Sequence, residues 1–426
     1  MNITQLRAAL CGGAMDARLG ELYGSTALDH QKARYLALLE RFVQTFGEDR
    51  EAIFCSVAGR SELSGNHTDH NHGCVIAASI DLDIIALASA NQEGVVRLHS
   101  EGFPACIVDI NTFTEAPAAP VGSSDELIAG MAQGFRKNGY AVGGFDACTT
   151  SSVLKGSGLS SSAAFEDMIG TLFSHLYNGG KVENVEIAKL AQYAENVFFG
   201  KPSGLMDQVA CAVGGIVAID FADPKAPVIE PLDFDLTKAG YNLCITDTGG
   251  NHADLTGDYA SVPTEMKAVA AALGKSFLRE LDDANLVAEI PALRAKLGDR
   301  ALLRAFHFFG ENRRVAAQKA ALENGDLGTF LDHVLASGRS SFCYLQNVYT
   351  TQNPSEQGLS LALCLSEQIL GGKKAAWRVH GGGFAGTVQA FVPADATEAY
   401  RLAMDAAFGE GSCMVLRVRP VGATKV

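Results

Sequence analysis

The stretch "VLKGSGLSSSAAFEDM", residues 153–168, decides the fold of this chain. It follows a strand-like run, holds two glycines and three consecutive serines, and leads into a helical pattern. Glycine allows positive φ and close approach of a ligand to the backbone, and the free N–H groups of a helix N-terminus attract anions. No Gly-Lys-Ser/Thr closes the loop, so it is not a Walker loop. These residues alone predict either a phosphate cradle or a structural turn capped by serine.

Composition limits the classes of partner. A chain of 426 residues is too long for one compact core and favours two domains. The hydrophobic fraction of 47% and charged fraction of 19% are ordinary for a globular protein. The formal charge of −14 disfavours nucleic acid and anionic membranes as partners. No apolar run approaches the ~18 residues of a membrane span, so we expect neither partner.

Cysteine usage and the N-terminus bear on the cellular compartment. The ten cysteines are scattered and none forms a C-x-x-C pair, which disfavours a zinc site and a disulfide framework. The opening "MNITQLRAALCGGAMDARLG" lacks the long apolar core of a signal peptide and predicts a fraying helix instead. We therefore expect a cytoplasmic protein.

The order of strands and helices favours an α+β fold. Residues 31–46 have helical periodicity, whereas "AIFCSVAG" and "CVIAASIDLDIIALASA" have the character of strands. Strands and helices do not alternate strictly, and no G-x-G-x-x-G follows the first strand, which disfavours a doubly wound dinucleotide-binding fold. Long helices are predicted in the C-terminal part, one of them at 310–340. The Pro- and Asp-rich segment 220–234 is the preferred domain junction.

Three further motifs accompany the central loop. They are "GRSELSGNHTDHNHG" at 59–73, "GLMDQ" at 204–208 and "GGGFAGTVQAFV" at 381–392. The loop "GSGLSSSAAFE" and the last motif resemble the second and third motifs of the GHMP small-molecule kinases. The other two resemble signatures of the galactokinase family within that superfamily. Four motifs in the family's order favour the phosphate cradle.

The resemblance implies a fold and a reaction. The fold would have two lobes, one at 1–220 similar to domain 2 of ribosomal protein S5 and one at 221–426 that is ferredoxin-like. The enzyme would use ATP and Mg²⁺ and transfer the γ-phosphoryl group to the anomeric hydroxyl of galactose, as a monomer or weak homo-oligomer. The nucleotide would be bound by the loop residues Gly156, Ser157, Gly158, Leu159, Ser160, Ser161, Ser162 and Ala163.

Phosphoryl transfer needs positioning, charge neutralisation and a group that orients the attacking hydroxyl. The resemblance implies that Asp207 is this group and a candidate general base, near the start of a short helix that Ser203 would cap. It implies that Arg60 holds Asp207 ionised and neutralises the transferred group. Glu195, twelve residues before Asp207, would bind Mg²⁺ together with Ser161.

The resemblance also implies a set of sugar contacts: Asn66, His67, Asp69, Gly204 and Tyr259. The first signature departs from the family pattern at several positions: Ala58 replaces proline, Glu62 asparagine, Ser64 isoleucine, Asn66 glutamate and His70 tyrosine. An amide does not repel an anion, so Asn66 suggests that a uronic acid such as galacturonate, or a wider range of sugars, is accepted.

Two other functions stay open at this point. A sugar- and ATP-binding regulator without catalysis is disfavoured because Asp207, Arg60 and Glu195 are all present. A GHMP kinase for another acceptor, such as mevalonate or homoserine, is disfavoured by the segments His67-Thr68-Asp69 and Met206-Asp207-Gln208.

Overall fold

The computed structural model describes residues 1–112, 117, 120–153, 158–201, 203–250 and 255–426. Its α-helices are α1 (Ile3–Cys11), α2 (Asp16–Tyr23), α3 (Leu28–Phe46), α4 (Ser124–Lys137), α5 (Ser161–Tyr177), α6 (Asn184–Tyr193), α7 (Met206–Val213), α8 (Thr256–Ala272), α9 (Asp283–Ala288), α10 (Ile290–Leu297), α11 (Asp299–Glu323), α12 (Leu327–Ser340), α13 (Gly358–Leu370) and α14 (Thr397–Phe408). Its strands are β1 (Ile53–Ser64), β2 (Cys74–Ala90), β3 (Val95–Ser100), β4 (Cys106–Asp109), β5 (Phe145–Ser151), β6 (Ile216–Asp220), β7 (Val228–Leu232), β8 (Tyr241–Asp247), β9 (Ala376–Val379), β10 (Thr387–Pro393), β11 (Cys413–Leu416) and β12 (Thr424–Lys425). Within the described ranges, every helix is too short or too polar to cross a bilayer.

An eight-stranded mixed sheet forms the first lobe. Its strand order is β12-β1-β2-β5-β3-β4, with β6 paired to β2 and β7 paired to β6. The long strand β2 pairs with β6 near its start and with β5 near its end. Helices α4 to α7 supply most of the core on one face. On the other face, the apolar side of α3, repeated at Tyr35, Leu38, Leu39 and Phe42, packs with α1 and α2.

A four-stranded antiparallel sheet, ordered β11-β8-β10-β9, forms the second lobe. Helices α13 and α14 cover one face through a buried cluster that includes Tyr400 and Met404. Helices α11 and α12 help to close a second cluster that also contains Ile76 and Ile80 of β2. The two lobes therefore share apolar core, and the cleft between them is framed by β1, β2 and these helices.

Segments distant in the chain complete the first sheet. Strand β12 pairs with β1 through Ser56 and Cys55. Buried Arg419 donates from Nη1 to Oδ2 of buried Asp83 at 3.0 Å, and Arg34 donates to Oδ1 of the same carboxylate at 2.5 Å. The pair of arginines lowers the pKa of Asp83 even though burial opposes its ionisation. The β6–β7 hairpin crosses the predicted boundary between 220 and 221, which stays a prediction.

The structure differs from the predicted elements at three places. The helix predicted at 310–340 is two helices, α11 and α12, because the chain turns at Gly325 with φ +68°. The N-terminal helix α1 does not fray, since Ile3 and Leu10 are fully buried. Helix α14 was not predicted. The helix at 31–46 and the two long strands match α3, β1 and β2.

Candidate active site

A bidentate ion pair joins β1 to α7. Arg60 donates from Nε to Oδ1 of Asp207 and from Nη2 to Oδ2, both at 2.8 Å. Arg60 is buried, whereas 34% of the Asp207 side chain is exposed. Asp207 is the second residue of α7, so its carboxylate also lies at a helix N-terminus. The pair therefore presents one ionised carboxylate at the surface of the cleft.

The electrostatic surroundings keep Asp207 ionised. Burial raises its pKa, but the charge and hydrogen bonds of Arg60, together with the hydroxyl of Ser160, lower it by more. Ser160 donates to Oδ2, and among the described residues Oδ1 accepts only from Arg60. A carboxylate oxygen has two lone pairs, so Oδ1 can accept one more hydrogen bond from a substrate hydroxyl.

The described part of the glycine–serine loop (residues 158–163) docks against β1 beside this pair. Arg60 donates from its side chain to the carbonyl of Gly158 and from its backbone to that of Leu159, the latter at 3.2 Å. A Cβ on Gly59 would lie 3.1 Å from the Leu159 oxygen, so a larger residue there would crowd the loop. The predicted nucleotide contacts Gly156 and Ser157 lie outside the described residues.

The rest of the loop leads into α5. Ser160 precedes the helix with φ +58°, and its hydroxyl bonds Asp207 instead of capping the helix. The amides of Ser161, Ser162 and Ala163 form the first turn, where N–H groups have no intrahelical acceptor. Leu159 and Ala163 are buried in the core, so they offer backbone alone. This is the arrangement of a helix N-terminal anion site.

Glu195 lies within a π-helical turn at 194–199, where α6 ends. Its carboxylate is nearly buried and accepts from Nζ of Lys201 at 2.7 Å and from Nε2 of Gln208 at 2.9 Å. Ser203 donates to the same carboxylate. The prediction that Ser203 caps the helix of Asp207 is therefore wrong: α7 follows Leu205 without a side-chain cap, because the Ser203 hydroxyl is bonded to Glu195.

The residues around Glu195 fit a magnesium ion that is bound mainly by nucleotide oxygens. No three His, Cys, Asp or Glu side chains of the described part of the chain are grouped to hold a metal. Glu195 and Ser161 supply hard oxygen ligands, and Mg²⁺ uses one or two protein ligands together with phosphates and water. Nearby, Oε1 of Gln208 and Oε1 of Glu166 are buried without a hydrogen-bond partner in the described structure. Burial, and then the charge of Glu195, raise the pKa of Glu166 well above its usual range.

Three predicted sugar contacts meet one turn of the second lobe. The glycine turn (residues 381–383) offers three successive carbonyls. Asn66 donates from Nδ2 to the first at 2.6 Å, the His67 ring bonds the second through Nε2 at 2.9 Å, and Tyr259 donates from Oη to the third at 2.7 Å. The turn therefore aligns the substrate loop (residues 65–72) with α8 across the cleft.

Asp69 and Gly204 bring the substrate loop close to the catalytic pair. A Cβ on Gly204 would lie 2.9 Å from Oδ2 of Asp69. Burial raises the pKa of Asp69, while His67 opposes the rise and Glu62 adds to it. Asp69 is half-buried, so part of it faces the cleft. The structure thus brings Asp69 of the substrate loop against Gly204, three residues before Asp207.

Asn66 differs from the other predicted sugar contacts because it is fully buried. Besides its bond to the glycine turn, Nδ2 donates to Oε1 of Glu62 at 3.3 Å. Its Oδ1 accepts from Asn347 at 2.9 Å and from Ser341 at 3.2 Å. The whole amide is therefore used in holding the substrate loop to the second lobe.

Sequence reasoning missed the buried partners of these residues. Arg378 of β9, fully buried, pairs with Glu62. His380 bonds Ser61 at 3.1 Å and Thr387 at 2.9 Å, and burial followed by the nearby arginines lowers its pKa well below the usual value. The only sequence signal for this group was the departure from the family pattern at position 62.

Comparison with known proteins agrees with this geometry. The model "GHMP kinases N terminal domain" matches residues 126–215, and the model "Galactokinase galactose-binding signature" matches residues 40–90. The galactokinase of Streptomyces coelicolor is 32% identical over 382 residues, which cover 89% of this chain and 94% of that one. The galactokinase of Lactococcus lactis is 28% identical over 88% of this chain and 91% of its own length.

Solved structures give the same result. The crystal structure of Lactococcus lactis galactokinase complexed with galactose superposes with a TM-score of 0.76 at 26% identity and covers 92% of this chain and all of that one. A mevalonate kinase, at 14% identity, a TM-score of 0.60 and coverage of 86% of this chain and 98% of its own, shares the fold. The α+β fold is thus the two-lobed GHMP fold, and the chain belongs to the galactokinase family of ATP-dependent sugar kinases.

Proposed function

We propose that this enzyme transfers the γ-phosphoryl group of ATP to the anomeric hydroxyl of galactose, and that Asp207 orients this hydroxyl. The observation that carries the proposal is the bidentate Arg60–Asp207 pair, placed between the N-terminus of α5 and the substrate loop. Backbone amides beside Ser161 bind the nucleotide phosphates, and the sugar lies between Asp207 and Asp69.

The role of Asp207 follows from its lowered pKa. A carboxylate of low pKa is a weak base, so it orients the hydroxyl through Oδ1 and accepts the proton late, when bond formation has made the hydroxyl acidic. Phosphoryl transfer through a loose transition state requires little earlier proton removal. Arg60 keeps the carboxylate ionised and adds positive charge near the transferred group.

Mg²⁺ is the second part of the proposal. Glu195 and Ser161 hold the ion, which supplies charge neutralisation to the triphosphate. In the described structure Lys201 balances the charge of Glu195 at 2.7 Å, and its side chain is 57% exposed, so it can move away when a divalent cation binds.

Galactose is preferred over galacturonate because a carboxylate remains beside Asn66. Glu62 lies within hydrogen-bonding distance of the Asn66 amide. The presence of Asn66 in place of the family glutamate therefore does not remove negative charge from this end of the pocket. A sugar carboxylate would meet repulsion there.

We further propose that the lobes divide near residue 220 and that the enzyme acts in the cytoplasm as a monomer or weak homo-oligomer, without nucleic acid or membrane partners. The net charge of −14 supports the last point. Light scattering during size-exclusion chromatography tests the assembly, and a stable tetramer would contradict it.

ADP release measured against a panel of hexoses and hexuronates tests the proposal. We expect the highest kcat/KM for galactose, a loss of turnover on addition of a chelator, and a fall in kcat of roughly 10²–10⁴-fold in Asp207→Asn. Circular dichroism checks that the variant is folded. Turnover retained in Asp207→Asn would contradict the mechanism, and sugar and ATP binding without ADP release would indicate a regulator.

A further inference from the structure

Positions 62 and 66 carry exchanged residues relative to the family pattern. The pattern has asparagine and then glutamate four residues later, whereas this chain has Glu62 and then Asn66. The structure places the two side chains in contact, Nδ2 of Asn66 lying 3.3 Å from Oε1 of Glu62. The carboxylate has therefore moved to the neighbouring position and has not been lost.

Within the described part of the chain, a single oxygen of Glu62 accepts hydrogen bonds. Oε1 accepts from Arg378 and from Asn66. Oε2 accepts no hydrogen bond from any residue that the structure describes, and it is not one of the enclosed oxygens without a partner. The Glu62 side chain is 7% exposed while Arg378 is completely buried, so Glu62 is the member of the ion pair that keeps some access to solvent.

The position of Glu62 on β1 places it on the same face as the residue that holds Asp207. Arg60 and Glu62 are two residues apart in a regular part of the strand, opposite Ser79 and Ala77 of β2. They therefore share a face, about 7 Å apart along the strand, which is close to the breadth of a hexose ring. Arg60 holds Asp207 at one end of this span, and the substrate loop begins just beyond Glu62.

The pKa shifts of Asp69 and Arg60 indicate that both residues lie near Glu62. Burial is the main influence on Asp69, and Glu62 adds to the rise in its pKa. Burial lowers and Asp207 raises the pKa of Arg60, and Glu62 contributes a further rise. Glu62 thus lies near enough to Arg60 and to Asp69 for its charge to act on both.

We propose that Glu62 is a specificity-determining residue whose free carboxylate oxygen accepts a hydrogen bond from a sugar hydroxyl remote from the anomeric carbon. Asn66 does not make this contact and instead fixes the substrate loop. The inference rests on the proposed phosphorylation of galactose. It implies that a neutral hydroxyl is bound at this end and that a uronate carboxylate is excluded.

The test compares galactose with its 3-, 4- and 6-deoxy analogues in the unmodified enzyme and in Glu62→Gln. In the unmodified enzyme we expect one analogue to lose 10-fold or more in kcat/KM, mainly through KM, because a hydrogen bond to a charged acceptor is lost. In Glu62→Gln the same analogue should lose less than about 3-fold relative to galactose. Galacturonate should remain at least about 100-fold poorer than galactose in the unmodified enzyme.

Two further variants separate specificity from stability. Asp146→Asn removes another buried carboxylate that pairs with an arginine, Arg97 at 3.1 Å, and should leave the ratio of galactose to analogue unchanged. The double variant E62N/N66E restores the family arrangement and should recover the discrimination that Glu62→Gln loses. The ratios stay interpretable if one variant is less stable, since both substrates are measured on the same preparation.

The possible results are distinct. The role of Glu62 is overturned if no analogue loses 10-fold in kcat/KM with the unmodified enzyme, or if Glu62→Gln shows the same loss as the unmodified enzyme. The first comparison uses the unmodified enzyme alone and does not depend on the folding of a variant. If the unmodified enzyme does not phosphorylate galactose at all, the proposed function fails, independently of Glu62.

Discussion

At the scale of single residues, the site contains two carboxylates with opposite pKa shifts. Asp207 has a lowered pKa because Arg60 and Ser160 outweigh the cost of burial. Asp69 has a raised pKa because burial outweighs the help of His67. Two neighbouring acids are thereby given different protonation ranges, which would separate the proposed role of Asp207 in catalysis from that of Asp69 in sugar binding.

This separation predicts a split pH dependence. On acidification from neutral pH, Asp69 takes up a proton first, so KM for galactose should rise while kcat is still unaffected by Asp207. The measurement is kcat and KM for galactose at saturating MgATP between pH 8 and pH 5. Asp69→Asn should raise KM and remove its pH dependence; a kcat that falls in parallel with the rise in KM would contradict the assignment.

Motif resemblance predicted the charged residues that we propose contact substrate, but not the residues that hold them. Arg60 and Asp207 lie in motifs whose order is readable in the sequence. The partner of Glu62 is Arg378, which is 316 positions away, and no local pattern connects them. The use of Asn66 as a support for the loop was equally unpredictable, since it depends on carbonyls of the glycine turn.

At the scale of elements, the segment before α7 and the substrate loop approach very closely. Gly204 is exposed and lies directly beside Asp69, at a distance that leaves no room for a methyl group. Its φ is not in the left-handed region, so the backbone itself would tolerate another residue. The constraint at this position is thus one of space between two functional segments.

Gly204→Ala should therefore impair sugar binding without unfolding the protein. The new methyl group, 2.9 Å from Oδ2 of Asp69, would displace that carboxylate and raise KM for galactose roughly tenfold, with kcat changed much less. Steady-state kinetics and thermal unfolding provide the measurement. Gly20→Ala, whose Cβ would find its nearest neighbour at 4.0 Å, is the matched control; an unchanged KM in Gly204→Ala would show that the segments separate easily.

The sequence predicted helices and strands correctly where the hydrophobic periodicity was long, and failed where contacts distant in the chain determine the local backbone. Helix α3 and strands β1 and β2 have sustained periodicity and were predicted. The π-helical turn of Glu195 was not, because its wider backbone geometry is stabilised by contacts of Glu195 with Lys201 and Ser203 after the turn. π-helical turns of this kind are frequent at functional sites, which suits a residue proposed to bind a metal.

At the scale of the whole molecule, a buried polar network holds the lobes together. His307 of α11 bonds the backbone oxygen of Asn66 through Nε2 and the hydroxyl of Ser340 through Nδ1, both at 2.9 Å. Because a carbonyl only accepts, Nε2 carries the proton and Nδ1 accepts from Ser340. Burial is the main reason that the pKa of His307 falls to about 4.

Because His307 is neutral in the native protein, we expect the stability of the protein to fall in acid. Between pH ~6.5 and pH ~4 the unfolded chain protonates His307 and the native protein does not, so stability falls as pH falls, by about 3 kcal/mol in total. For a chain of this length the change corresponds to roughly 3 °C in the unfolding temperature. Between pH 6.5 and 4.5, His307→Gln should reduce the fall in unfolding temperature by that amount, whereas the exposed control His30→Gln should not. An equal fall in the unmodified protein and both variants would contradict the assignment.

The return of residues 417–425 to the first sheet has a consequence for synthesis on the ribosome. Strand β12 and Arg419 reach β1 and Asp83 only after more than 330 intervening residues have been translated. Until then, one edge of β1 is unpaired and Asp83 lacks the positive charge of Arg419. Unpaired strand edges of this kind are sites of chaperone binding. Completion of the first sheet should therefore be a late folding step with very high contact order, since 336 positions separate Arg419 from Asp83.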